Sequence, residues 1–448
     1  MNFPPISRRF FVKQGALAFA AIGAGALFGP AYLRASVLAA EPRRTAGGRR
    51  VLVCVFQRGA ADGMSMVAPF GDPDYYRLRS DIALAAPTRK AGATGVLDLG
   101  AGFGLHPALG SLHELYGAGE LAVVHACGNP LATRSHFEAQ DMMELGTDRN
   151  KNLPSGWLNR LITACPEDAA HRTALSAVAL TSQLPRSLYG PEEAIAIADI
   201  ARFGVAGGAP EVQSAGGAGM MGGGTRGNAA TSFAEIYENA VGDALHGAGQ
   251  DGFAAIDLLR KVKPGNYRPA AGAKYPNGNF GRSMRQVAQL IKAEVGLEIA
   301  FVEIGGWDTH ANQGNATGAL AARLTEFGNG LAALHRDLGA KMSDVLILTM
   351  SEFGRTARQN GNRGTDHGHG TAFFALGGAV KGGKVLGAWP GLAPDKLYEG
   401  RDLAITTDYR NFFAEACVRH MEVRTGALAN VFPKFSAQPD NFPGYLRS

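Results

Sequence analysis

Apolar residues along the chain gather in five short runs: RVLVCVF ending at Phe56, ELAVVHA at Ala126, LSAVAL at Leu180, LEIAFVEI at Ile304 and DVLILTM at Met350. Most of these runs are continuous rather than alternating, as expected for strands covered on both faces, where every side chain must be apolar. Between them lie segments with helical spacing: HPALGSLHELYGAG, SFAEIYENAVGDAL, RSMRQVAQLIKAEV and ALAARLTEFGNGLAALHRDLG. Strands alternating with helices predict an α/β fold of three layers, α/β/α, around a mostly parallel central sheet.

In such sheets functional residues collect at the carboxyl ends of the strands. The residues just past each run are therefore the place to look. After the first run comes QRGAADGMS with Asp62; after the second, CGNPLATRSHFEAQD, where Ser135 and His136 open a helix. After the fourth comes GGWDTHANQ with Asp308 and His310. After the fifth come SEFGRT, with Glu352 and Arg355, and GTDHGHGT, with Asp366, His367 and His369. Oxygen and imidazole donors without a thiolate suit a divalent zinc, manganese, magnesium or calcium ion.

Each motif also has a plainer reading. Asp308-Thr309-His310 is a pair of metal ligands or an Asx-type turn with a bystander histidine. Ser135-x-x-Glu138 spells a capping box, which is compatible with a nucleophile at the positive end of a helix. Glu352 to Arg355 also reads as a surface turn with an ion pair. His367-Gly368-His369 is the most specific cluster, because glycine-flanked histidines have little packing value. His113, His125, His335 and His420 fall inside helix or strand patterns and are expected to be structural.

Composition narrows the classes. Residues 1–40 hold Arg8, Arg9, Lys13 and Arg34 and no acid, so they carry four of the five net positive charges and leave the remainder at +1. A basic nucleic-acid-binding surface is not indicated. Ser7-Arg8-Arg9-Phe10-Phe11-Val12-Lys13 is a twin-arginine pattern, and the apolar stretch after it is broken by Gly23, Gly25, Gly29 and Pro30. Residues 1–40 thus read as an export signal, with 41–448 a single domain without a transmembrane segment, and the product periplasmic or secreted. Cys54, Cys127, Cys165 and Cys417 sit in or beside apolar stretches without zinc-site spacing, and read as buried small hydrophobes; one disulfide stays open in an exported product. Residues 204–228 are too glycine-rich to bury a core and read as a flexible loop; no Gly-Lys-Ser/Thr follows, as a phosphate-cradling loop requires.

Taken together, the twin-arginine pattern, RGAADGMS, TRSHFEAQDMMELG, GWDTH, SEFGRT and TDHGHGTAFFALGGAVKGGKVLG resemble the bacterial domain-of-unknown-function family 1501, a relative of the alkaline phosphatase and sulfatase superfamily. The resemblance spans nearly all of residues 41–448. It implies an alkaline phosphatase-like fold with metal positions around a Ser, Thr or modified Cys nucleophile. Carried over by position, Asp62 looks like the first-strand carboxylate ligand and Ser135 like the nucleophile beside His136. Asp308 and His310 look like the Asp and His of one metal position, and His367 or His369 like the late histidine. Arg355 is a candidate anion clamp, since a planar guanidinium suits tetrahedral oxyanions. The chain departs from the pattern at Glu352-Phe353, where an Asp-His pair is usual, which puts a second metal in doubt and leaves Asp366 as a replacement ligand. The sulfatase motif Cys-x-Pro-x-Arg is absent, since Cys127-Gly128-Asn129-Pro130 has its proline one position late.

The resulting expectation is an exported metal-dependent hydrolase or transferase acting on phosphate, sulfate or related esters, including small-molecule or glycan esters, with Ser135 as nucleophile. Its rival is a non-catalytic binding or assembly protein of the cell envelope that keeps the fold, works through an envelope protein partner, and has lost part of the metal set.

Overall fold

A computed structural model describes residues 49–88, 94–131, 133–165, 172–203, 254–256, 258–260, 262 and 264–447. The export signal over 1–40, the glycine-rich segment 204–228 and the SFAEIYENAVGDAL segment lie outside the described residues.

In chain order the strands are β1 Val51–Gln57, β2 Val67–Ala68, β3 Leu97–Gly100, β4 Phe103–Leu105, β5 Leu121–Gly128, β6 Ala177–Ala179, β7 Ile195–Ala196, β8 Ile299–Ile304, β9 Val345–Met350, β10 Thr371–Gly377, β11 Lys384–Leu386 and β12 Thr407–Asp408. The main sheet runs β11-β5-β10-β9-β1-β8-β6-β7, with β12 also on β5; β2, β4 and β3 form a separate small sheet. All five runs read from the sequence lie in the main sheet. Every main-sheet pairing is parallel except those of β10, which runs antiparallel to β5 and β9.

The continuous apolar runs are explained by what covers the sheet. Along β1, Val51, Val53 and Val55 pack into one core together with Leu112, Met284, Val287, Leu324 and Leu331. Leu52, Cys54 and Phe56 enter a second core with Trp157, Leu161, Phe412 and Phe413. The first set lies on helices Gly110–Gly117, Asn279–Lys292 and Ala319–Leu338, the second on Trp157–Ala164 and Tyr409–Arg419. Successive side chains of a strand point to opposite faces, so β1 is apolar from Val51 to Phe56 because helices cover both.

The cysteines are free thiols; Cys54, Cys127 and Cys417 are buried and Cys165 partly so. No helix of the described residues is long and apolar enough to cross a membrane.

The reversed direction of β10 shapes the rim of the sheet. Its amino end lies at the same rim as the carboxyl ends of its neighbours β5 and β9. The loop that leads into β10, carrying Asp366, His367 and His369, is thereby returned to that rim.

Candidate functional site

Four loops meet at this rim. His136 is the first residue of the helix His136–Leu145, reached from the end of β5. Asp308 and His310 follow β8, Glu352 follows β9, and His367 precedes β10. One potential ligand atom from each of His136, Asp308 and His367 lies within 4.8 Å of the others. His310 joins them: its Nε2 is 2.9 Å from Asp308 Oδ1 and 3.0 Å from His367 Nε2. His136 Nε2 is likewise 3.0 Å from His367 Nε2.

The far side of each imidazole is tied down. His136 Nδ1 is 2.8 Å from Glu352 Oε1, His310 Nδ1 is 3.1 Å from Asp366 Oδ1, and His367 Nδ1 is 2.9 Å from the Arg134 carbonyl oxygen. A carboxylate or carbonyl only accepts, so all three Nδ1 atoms donate and all three Nε2 atoms carry lone pairs when the rings are neutral. Three lone pairs and a carboxylate oxygen then face one another with no donor of their own. A proton on one ring relieves one contact; a divalent cation relieves them all.

The donor set fits such an ion. Tetrahedral nitrogen donors about 2.0–2.1 Å from zinc lie roughly 3.3 Å apart, within a few tenths of an ångström of the Nε2 separations here. Metal-bound histidines almost always donate their other nitrogen to a carboxylate or carbonyl, as these three do. His310 and Asp308 are partly exposed, so the cluster is open to solvent on one side.

The electrostatics agree with this arrangement. The hydrogen bond to Glu352 raises the His136 pKa against the opposing effect of burial. Burial pushes the Glu352 carboxyl up, but hydrogen bonds from His136, Gln140 and the Gly59 N–H outweigh it and hold the group below the usual carboxylate range. Burial likewise opposes ionisation of Asp308, and the Arg355 guanidinium beside it prevails and lowers its pKa. Burial lowers the His367 pKa.

Several residues expected at the centre are placed otherwise. Glu352 and Asp366, read as metal ligands, face Nδ1 nitrogens behind the converging atoms and orient the imidazoles. Asp62 is not among the converging atoms: it is 1% exposed, and its Oδ2 accepts from Arg79 Nη1, Ser65 Oγ and Gln313 Nε2, each at 2.7 Å. His369 stacks on Tyr398 at 4.3 Å, and burial pushes its pKa down to about 4. Arg355 is not free to clamp an anion. It is buried, and its guanidinium donates to the carbonyls of Ala60, Thr365, Gly59 and Trp307 and to Asp308 Oδ1 at 2.5 Å. It locks the strand-end loops together and aims Asp308. Phe353, at the position where the resemblance implied a histidine, packs its ring against both His136 and His367. The third imidazole of the cluster, His136, comes from a different loop.

Ser135 occupies the N-cap position, yet its side chain makes no cap hydrogen bond. Glu138 instead binds Thr133 Oγ1 and Lys151, so the capping box is not formed. Ser135→Ala is therefore expected to change stability by less than about 0.5 kcal/mol in chemical denaturation, the usual scale for an uncommitted surface position. A loss near 1 kcal/mol, typical of a removed cap, would show that the hydroxyl caps the helix in solution.

Sequence reasoning passed over Gln140, which donates to Glu352 at 2.9 Å, and Gln313, because neither is titratable. The signal for Gln140 was its position, one helical turn after His136 on the same face.

Fold and site together define an α/β protein with an open three-histidine, one-aspartate cluster at the carboxyl rim of its sheet. Residues 211–431, just under half of the chain, match the family described as "Protein of unknown function (DUF1501)", and the match supports membership of that family. The matched stretch contains GWDTH, SEFGRT and TDHGHGT, and so three of the four clustered residues; His136 lies before it. No curated protein matches the chain.

Proposed function

We propose that this chain is an exported, metal-dependent hydrolase or transferase of phosphate, sulfate or related esters, built on an alkaline phosphatase-like sheet. The observation that carries the reading is the convergence of three imidazole Nε2 atoms, each with its Nδ1 tied to an acceptor, around Asp308. His136, Asp308, His310 and His367 would hold a divalent ion, which when bound would supply Lewis acidity towards an ester oxygen.

The chain's own groups do the rest. Glu352, Asp366 and the Arg134 carbonyl hold the three rings in the tautomer that presents Nε2. Arg355 keeps Asp308 ionised and aimed. Ser135, next to His136 and free of a capping bond, is the nucleophile, at the positive end of a ten-residue helix that favours an anionic group. The twin-arginine pattern supports export, and four oxygen and nitrogen donors without thiolate favour zinc over softer metals.

Elemental analysis of protein purified without chelator tests the centre, and a broad panel of phosphate and sulfate esters tests the chemistry. We expect one divalent ion per chain, turnover of at least one ester class, and no turnover by folded Ser135→Ala. Metal-free protein that gains no stability from added zinc would reject the centre and favour the non-catalytic envelope protein. Metal-loaded protein in which Ser135→Ala keeps full turnover would leave the centre standing and remove Ser135 as nucleophile.

A further inference from the structure

Gln313 is completely buried, three residues after His310. Its amide spends every hydrogen-bonding position it has. Nε2 donates to Asp62 Oδ2 at 2.7 Å and to Ser65 Oγ at 3.0 Å. Oε1 accepts from Thr309 Oγ1 at 2.7 Å and from Thr365 Oγ1 at 2.9 Å. Asp62 is ionised, because the Arg79 charge and hydrogen bonds outweigh its burial. A carboxylate cannot donate, so it forces Nε2 towards itself and leaves Oε1 for the two threonines, which must both donate.

Both threonines adjoin the centre. Thr309 lies between Asp308 and His310; Thr365 precedes Asp366, whose carboxylate holds His310 Nδ1. The two loops are also joined directly, Thr365 N–H donating to the Thr309 carbonyl at 3.1 Å. Arg79 ties the same assembly to the segment after β9, through the carbonyls of Thr356 and Ala357.

We infer that Gln313, oriented by the Asp62–Arg79 pair, is a positioning residue that sets His310 and its orienting partner Asp366 relative to Asp308. The inference rests on the metal-centre reading above and assigns a task to Asp62, the strand-end carboxylate that is not itself at the centre. Gln313 touches neither the clustered atoms nor solvent. Its effect reaches the centre through Thr309 and Thr365, whose hydroxyl protons it aligns.

The test uses the full chain, zinc as the affinity probe and cobalt(II) as the spectroscopic one. Gln313→Glu keeps the shape but sets a carboxylate oxygen against Asp62, and is expected to weaken zinc binding by about 10–100-fold, the scale for losing an orienting partner. Its cobalt ligand-field bands should shift as His310 moves. Thr309→Val removes one hydroxyl that Gln313 aligns at nearly constant shape, whereas Thr309→Ser keeps that hydroxyl. The serine variant should keep the wild-type zinc affinity and cobalt spectrum while the valine variant shifts both in the manner of Gln313→Glu, a split that a purely structural role does not give. Should Gln313→Glu fail to fold, the two Thr309 variants carry the test. Unchanged affinity and spectrum in folded Gln313→Glu, or a Thr309→Val variant that binds zinc like Thr309→Ser, overturns the inference while the centre stands. Wild-type protein that binds no zinc overturns both.

Discussion

Alanine at His136, His310 or His367 is expected to strip the protein of bound zinc, weakening affinity by more than the roughly 10–100-fold that loss of an orienting partner costs. Each imidazole contributes one of only four converging donors, so no neighbour can replace it. The effect should be visible in thermal unfolding. At a zinc concentration about a hundred times the dissociation constant, binding stabilises the native state by about 2.7 kcal/mol, and the alanine variants should show none of that gain. Glu352→Gln is expected to fall between them and the wild type, since the amide oxygen still accepts from His136 Nδ1 but no longer charges the acceptor. The same geometry fixes a pH dependence. Glu352 raises the His136 pKa, so protons compete with the metal for Nε2 at a higher pH than at an ordinary imidazole. Stability owed to the metal is therefore present above that raised value and is lost as pH falls through it. Alanine variants that hold zinc like the wild type, by competition with a chelating dye, would disprove the assignment.

Arg79→Met is expected to produce the largest loss of stability, about 3–5 kcal/mol, because it leaves a buried carboxylate without its counter-charge. Both side chains of the Asp62–Arg79 pair are essentially removed from solvent. Methionine fills much of the space, so the cost is chiefly electrostatic. The sign with pH follows. In the wild type, the pKa of Asp62 is lowered, so its contribution is complete above the ordinary carboxylate value and disappears only as pH falls through the lowered one. In the variant burial acts unopposed and favours the protonated acid. The difference between the two proteins in urea denaturation should thus be greatest near neutrality and shrink on acidification. A difference independent of pH would mean that lost packing, not the unpaired charge, is responsible.

Much of the sheet could be read from the chain because burial on both faces leaves a signature that needs no partner to be known: Val51 to Phe56 is apolar at every step. β10 was harder. TAFFALG is as apolar as β9, but it follows directly on the histidine loop, and nothing in a single run says that its strand is reversed. The reversal decides the site, since it is what returns His367 to the rim. Within the site, residue types were legible and their layers were not. A carboxylate behind an imidazole and one facing the cluster are the same chemical group, and only the three-dimensional arrangement separates Glu352 and Asp366 from Asp308. Asp62 and Arg355 were read as open because they follow strands. Each is instead closed off by groups from other segments, Asp62 by Arg79 and Gln313, Arg355 by the carbonyls of four residues. Ser135-x-x-Glu138 matched a capping box in letters, but Thr133 and Lys151 compete successfully for Glu138.

The position of β1 in the sheet bears on how the protein is made. The first strand among the described residues is paired on both sides with strands from the far half of the chain, Leu52 against Ile299 and Val51 against Val345. Closing such long loops is entropically slow, and neither edge of β1 can be satisfied until most of the chain has left the ribosome. Throughout that interval Val51–Phe56 is an apolar, unpaired strand of the kind that seeks edges on other molecules. The nascent chain is thus most vulnerable at a segment made early and paired late, and shielding Val51–Phe56 during synthesis is expected to raise the yield of soluble protein.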